Sequence, residues 1–200
     1  DALWLSMIAC GLKKNDEVIM PSHTYVATPA AAKFIGVKSI LVDIDKNHLM
    51  CLKDLKKKVT LKTKAIIPVQ LNGRTMNMSK LVKFAEEEGL TIIEDSAQGL
   101  GSKFNNKMAG TFGLTGTYSF YPAKTLGCFG DGGAIVTSNN KIYNKLYEMR
   151  DHGRNKQGNY IRWGLNSRLD NLQAAILLEK LSLLKDEIIR RRSIAKIYNE

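Results

Sequence analysis

The sequence predicts an α/β fold: a mostly parallel sheet sandwiched between helices. Two observations carry this expectation. Short runs rich in Val and Ile alternate along the chain with stretches of helical periodicity. These runs are apolar on both side-chain parities, as expected for strands covered on both faces by helices.

The elements follow in order. Glu17–Pro21 reads as a strand, and an Ala-rich helical stretch follows around Val26 to Ile35. Ser39–Asp43 is the next strand, then a helix near Leu52 to Val59. Ala65–Val69 leads through the Asn72-Gly73 turn to a helix from about Met78, whose stripe of Leu81, Val82 and Ala85 ends at Gly89. Leu90–Glu94, Gly116–Tyr121 and Ala134–Thr137 complete the strands, the last two joined by a Gly-rich turn. From Ser167 the pattern changes. Leu169, Leu172, Ala175, Ile176, Leu177, Leu181 and Leu184 mark a long amphipathic helix running into Arg190, Arg191 and Arg192. The expected organisation is therefore a large α/β domain over residues 1–166 and a helical region over 167–200. That region leads toward a C-terminal small domain, so the chain reads as the central part of a longer protein.

Composition narrows the functional classes. With 44% hydrophobic and 24% charged residues among 200, the chain is neither disordered nor fibrous. No run reaches the roughly 18 apolar residues of a membrane-spanning helix, so no membrane partner is expected. Cys10, Cys51 and Cys128 are odd in number, far apart and without a CxxC, which suits a reducing, cytoplasmic setting better than a disulfide scaffold. His23, His48 and His152 lack metal-ligand spacing, and no metal site is expected. The net charge of +11 invites a nucleic-acid reading. However, Lys56–Lys58 and Arg190–Arg192 fall on helices as solvated faces, aromatics are only 8%, and no nucleic-acid signature is present.

Two segments carry chemistry. In Ile93-Glu-Asp-Ser-Ala-Gln98, Asp95 sits at the end of an apolar strand, where ligands bind in open α/β sheets. In Ser119-Phe-Tyr-Pro-Ala-Lys124, a lysine follows another strand through a Pro122 turn. A lysine there can form a Schiff base when its surroundings lower its proton affinity. Pyridoxal phosphate needs this partnership: an amine for its aldehyde and an acid on its pyridine nitrogen. In isolation, a strand-end Asp is more often a turn or cap residue, and a Lys after a strand is more often a surface residue. Cys128, four residues beyond Lys124, reads as a packed thiol. His152 is as well explained by an exposed loop as by a place near substrate.

Six motifs occur in order: Leu12-Lys-Lys-Asn-Asp16-Glu-Val-Ile19, Pro21-Ser-His-Thr-Tyr25-Val-Ala-Thr28, Ile93-Glu-Asp95-Ser-Ala-Gln98, Ser119-Phe-Tyr-Pro-Ala-Lys124-Thr-Leu-Gly127, Gly130-Asp-Gly-Gly133 and Asn166-Ser-Arg-Leu-Asp170. In these the chain resembles the DegT/DnrJ/EryC1/StrS aminotransferases over essentially its whole length. The first motif departs slightly, with Leu12 where a Gly is frequent.

The resemblance implies the large domain of a fold type I aminotransferase dependent on pyridoxal 5'-phosphate. It further implies transfer of an amino group from an amino acid, L-glutamate, to a nucleotide-linked keto sugar, in the service of polysaccharide biosynthesis. It assigns Lys124 as the Schiff-base lysine and proton carrier, and Asp95 as the carboxylate on the pyridine nitrogen. Gln98 faces the ring hydroxyl, Tyr25 stacks on the ring, and Ser119 binds the phosphate. Asn166 reaches the phosphate from the neighbouring subunit, so the resemblance also implies a homodimer with a shared active site. Lys124 argues against the sugar dehydratase branch, which carries histidine there. A non-catalytic, regulatory member of the same family that keeps the cofactor is the alternative.

Overall fold

The structure, a computed structural model, describes residues 1–200. In chain order it contains α1 (Ala2–Ala9), β1 (Glu17–Pro21), α2 (Ala27–Phe34), β2 (Lys38–Val42), α3 (Leu52–Lys58) and β3 (Thr63–Ile66). A single 3-10 turn (Leu71–Gly73), α4 (Met78–Glu87), β4 (Thr91–Asp95), β5 (Lys103–Phe104) and β6 (Lys107–Met108) follow. The chain continues through β7 (Thr115–Ser119), β8 (Gly133–Val136), α5 (Asn140–Met149) and α6 (Asn171–Asn199).

Six strands form one sheet in the order β2-β1-β3-β4-β7-β8. All neighbours run parallel except β8, which pairs antiparallel with β7 at one edge. All five residues of β1 are buried, as its place between β2 and β3 and under helices on both faces requires. Ile19, Ile66 and Ile92 pack on one face against Leu55 of α3 and Leu81, Phe84 and Ala85 of α4. Val18, Met20, Ala65 and Ile93 pack on the other face against Met7 of α1 and Ala31 and Ala32 of α2. The two clusters alternate along the strands because successive side chains point to opposite faces.

Local chemistry sets the element ends. The Asn77 side chain accepts the Lys80 N–H at 3.1 Å and starts α4. Gly89, at φ 63°, supplies the left-handed residue that ends it. At the close approach of β7 to the loop before it, Gly116 lies so near the Gly110 carbonyl that a β-carbon would overlap it.

A hairpin and a helix were not anticipated. The β5–β6 hairpin turns on Asn105 and Asn106, both at positive φ, the geometry of a tight hairpin turn. In α5, Asn139 accepts the Lys141 and Ile142 N–H groups. Leu146 and Met149 of α5 pack with Leu5 and Ala9 of α1. The long C-terminal helix is present, but of its apolar residues only Leu177 is buried, against Leu126 and Cys128. Leu172, Leu178 and Leu181 are exposed, because no other element of this chain lies over them.

Candidate functional site

A cavity of about 1270 Å³ opens at the carboxyl ends of β4 and β7. This is where an open α/β sheet can receive a ligand, since the loops leaving the strands diverge there. Its lining includes all six residues singled out in the sequence: Tyr25, Asp95, Gln98, Ser119, Lys124 and Asn166.

Asp95 forms the floor. It is buried, and each oxygen holds one donor: Oδ2 accepts the Thr28 hydroxyl at 2.8 Å and Oδ1 accepts the Ala97 N–H at 3.1 Å. Thr24 lies one helical turn before Thr28, with their hydroxyl oxygens 2.7 Å apart, so Thr24, Thr28 and Asp95 form a relay of hydroxyls ending on the carboxylate. Burial pushes the Asp95 carboxyl above its ordinary range; the Thr28 and Ala97 bonds and the Lys124 ammonium oppose that rise. With one donor on each oxygen, the carboxylate still has acceptor capacity, and it lines the cavity. A cationic N–H placed there would relieve the burial cost.

Lys124 follows β7 in a turn closed by its own N–H on the Tyr121 carbonyl at 2.9 Å, and is half-buried. At the end of β7, the Ser119 oxygen accepts the Tyr121 N–H at 3.3 Å, which leaves its O–H free to donate.

Gln98 is held from behind. Its Oε1 accepts the Asn72 N–H at 3.0 Å and its backbone carbonyl accepts the Gly73 N–H at 3.0 Å. With the amide oxygen engaged, the amide NH2 is the group left to donate to a ligand.

Tyr25 stands at the cavity wall with 73% of its surface exposed, a free aromatic face beside the floor. Asn166 lies on the rim of this chain's own cavity, where its Oδ1 accepts Arg168 Nε at 3.0 Å.

Sequence reasoning missed several lining residues. Thr28 lay inside a quoted motif, and its spacing of four from Thr24 was the available signal. Arg150 and Arg168 also line the cavity and add positive charge near its mouth. His152 is exposed and does not line it. Cys128 is fully buried, with its one S–H within reach of the Phe120 and Gly130 carbonyls, so it is a packed thiol. No group of three or more His, Cys, Asp or Glu side chains is arranged to hold a metal ion. No helix is long and apolar enough to cross a membrane.

The donor set fits pyridoxal phosphate. A buried carboxylate short of donors, a nearby lysine, an amide donor and an exposed aromatic face converge on one cavity. Comparison with known proteins agrees. The family model described as the DegT/DnrJ/EryC1/StrS aminotransferase family matches residues 1–200. A UDP-2-acetamido-2-deoxy-3-oxo-D-glucuronate aminotransferase of Pseudomonas aeruginosa is 40% identical over 200 residues, covering 100% of this chain and 56% of that relative. A dTDP-3-amino-3,4,6-trideoxy-alpha-D-glucose transaminase of Streptomyces venezuelae is 38% identical over 199 residues, covering 99% of this chain and 52% of the relative. Among solved structures, a DegT DnrJ EryC1 StrS aminotransferase from Brucella abortus superposes with a TM-score of 0.94 at 42% identity. That match covers 99% of this chain and 56% of the other. The architecture is that of fold type I aminotransferases. The chain spans about half the length of the curated relatives it matches.

Proposed function

The chain belongs to the DegT/DnrJ/EryC1/StrS aminotransferase family, and from that premise we propose that it carries the chemical centre of a pyridoxal-phosphate-dependent sugar aminotransferase. The amino group passes from an amino acid, L-glutamate in this reading, to a keto sugar attached to a nucleotide. The carrying observation is the convergence of Asp95, Gln98 and Lys124 on one cavity from two different strand ends.

Pyridoxal phosphate, when bound, supplies an electron sink for the carbon that gains or loses the amine. The residues of this chain do the rest. Asp95 accepts the proton-bearing ring nitrogen and holds that proton in place, a role that its burial and unfilled acceptor sites favour. The Gln98 amide donates to the ring oxygen. Tyr25 covers the ring face, where offset stacking contributes on the order of 1 kcal/mol beyond burial. Ser119 binds the phosphate, and Asn166 reaches it from the neighbouring subunit. Lys124 Nζ receives the proton from the α-carbon of the donor and returns one to the sugar carbon in the second half of the reaction. Arg150 and Arg168 line the cavity and attract an anionic donor and a diphosphate-bearing sugar.

A homodimer that shares the site completes the proposal. Its support is the exposed apolar loop before Asn166, where Tyr160, Ile161 and Trp163 meet solvent. A cytoplasmic location is in keeping with three free cysteines.

Turnover of glutamate with a panel of nucleotide-linked keto sugars tests the activity, and the Lys124→Ala variant tests the site. The variant is expected to lose the visible absorbance of the bound cofactor together with turnover. An unchanged spectrum would overturn the assignment of Lys124. Cofactor binding without turnover on any sugar would favour a regulatory protein instead.

A further inference from the structure

Directly behind the site lies a buried polar pair that the reaction itself does not use. Glu94 and Gln70 are both fully buried. Both oxygens of Glu94 are saturated by neutral N–H groups. Oε1 accepts from Phe112 at 2.6 Å and Gly113 at 2.8 Å, and Oε2 accepts from Gly110 at 2.8 Å and from Gln70 Nε2 at 3.0 Å. The amide oxygen of Gln70 accepts the Met76 N–H at 3.1 Å. A carboxylate so deeply buried is costly unless its acceptor sites are filled. Here they are filled by donors from two separate segments, the one holding Gln70 and the Gly110–Gly113 loop.

These segments and β4 all carry or hold site residues. Glu94 precedes Asp95 in β4, and side-chain alternation sends the two carboxylates to opposite faces of the sheet. The segment containing Gln70 brackets the Asp95 backbone: the Asp95 N–H donates to the Pro68 carbonyl at 3.0 Å, and the Gln70 N–H donates to the Asp95 carbonyl at 2.9 Å. The bond from Met76 to Gln70 closes the turn whose Asn72 and Gly73 N–H groups grip Gln98. The Gly110–Gly113 loop leads into β7, which ends at Ser119.

We propose that Glu94 and Gln70 are positioning residues for the cofactor ring site. They fix the direction of the Gln98 amide and the placement of Asp95 without touching the ring. The inference rests on the pyridoxal-phosphate reading above. In Glu94→Gln, an NH2 group replaces one acceptor oxygen, and a donor then faces the Gln70 amide or a loop N–H. Exchanging both residues, as Glu94→Gln with Gln70→Glu, restores a donor opposite an acceptor between the two side chains and leaves Met76 with its acceptor, while the Gly110 N–H still faces the new NH2 group.

The test uses the holoprotein and reads the pH midpoint of the visible absorbance of the bound cofactor, beside the melting temperature. Gln98→Ala sets the reference direction, because it removes the amide outright. Glu94→Gln is expected to move the midpoint the same way by about half a unit or more, the scale of a weakened hydrogen bond. The double exchange is expected to return it part of the way toward the wild-type value, because the contact between the two side chains is restored and the Gly110 bond is not. A lowered melting temperature with an unmoved midpoint, or no recovery in the double exchange, would overturn the proposal and leave the pair a purely structural one. If Glu94→Gln does not fold, Gln70→Met keeps the volume and removes the amide; the same shift is expected, and its absence is equally decisive. Absence of any visible band in the wild-type protein would sink the cofactor reading itself, whereas a band with an unmoved midpoint sinks only the positioning role.

Discussion

Thr28→Val isolates one hydroxyl at the floor of the site. The substitution keeps shape and removes the donor that Asp95 Oδ2 accepts at 2.8 Å, leaving the carboxylate with the Ala97 N–H alone. Thr28 and Asp95 are both buried, so water cannot take the place of the lost donor and screening is slight. A hydrogen bond to a charged group contributes about 1.5–3 kcal/mol. At about 1.4 kcal/mol per unit, the pH at which Asp95 gives up its proton should rise by about one to two units. The proposed ring contact requires the ionised carboxylate, so the acid limb of cofactor affinity should move upward by the same amount. Well above both midpoints the affinities of variant and wild type should converge, since the bond is absent from the free and the bound variant alike. Titrating pyridoxal phosphate into cofactor-free protein by tryptophan fluorescence across pH checks this. The difference between variant and wild type cancels the titration of the cofactor itself. A limb that does not move, or an equal loss at every pH, would refute the role given to Thr28.

Two further outcomes follow from the same geometry. Because burial raises Asp95 above its ordinary value of 3.8, the folded protein keeps that proton to higher pH than the unfolded chain. The stability of the cofactor-free protein should therefore fall as pH rises from that value through the raised one. Asp95→Asn should lose this fall and melt no lower than wild type at neutral pH, as melting curves against pH would show; a variant that keeps the fall would contradict the assignment. Gly116→Ala sets a β-carbon against the Gly110 carbonyl, a backbone atom that cannot swing aside. Urea unfolding should show a loss of about 3 kcal/mol, the upper end for overpacking, and a loss below about 1 kcal/mol would mean that the loop yields easily.

The parallel sheet was legible because its strands are short, apolar and separated by helical runs; Glu17–Pro21 matches β1 residue for residue. The helix Asn140–Met149 was missed although its signal is present: Ile142, Leu146 and Met149 recur at helical spacing, and Asn139 marks its start. The two-residue strands of the hairpin carry too few side chains to show any period. At the site, Asp95, Gln98 and Lys124 were legible because each follows a strand end in an ordered motif. The Glu94–Gln70 contact joins residues 24 apart, and no local pattern signals that two polar side chains will meet in the core. The long helix α6 was legible too, but the expected apolar stripe was not borne out: its apolar residues are spread around the helix and only Leu177 is buried.

The central claim is that Lys124 and Asp95 form the two ends of a pyridoxal-phosphate site. Borohydride reduction of the cofactor-loaded protein, followed by peptide mapping, tests it most directly. The account predicts a pyridoxyl group on Lys124 in the wild-type protein, and much less of it in Asp95→Asn at limiting cofactor. A label on another lysine, or none at all, would contradict it.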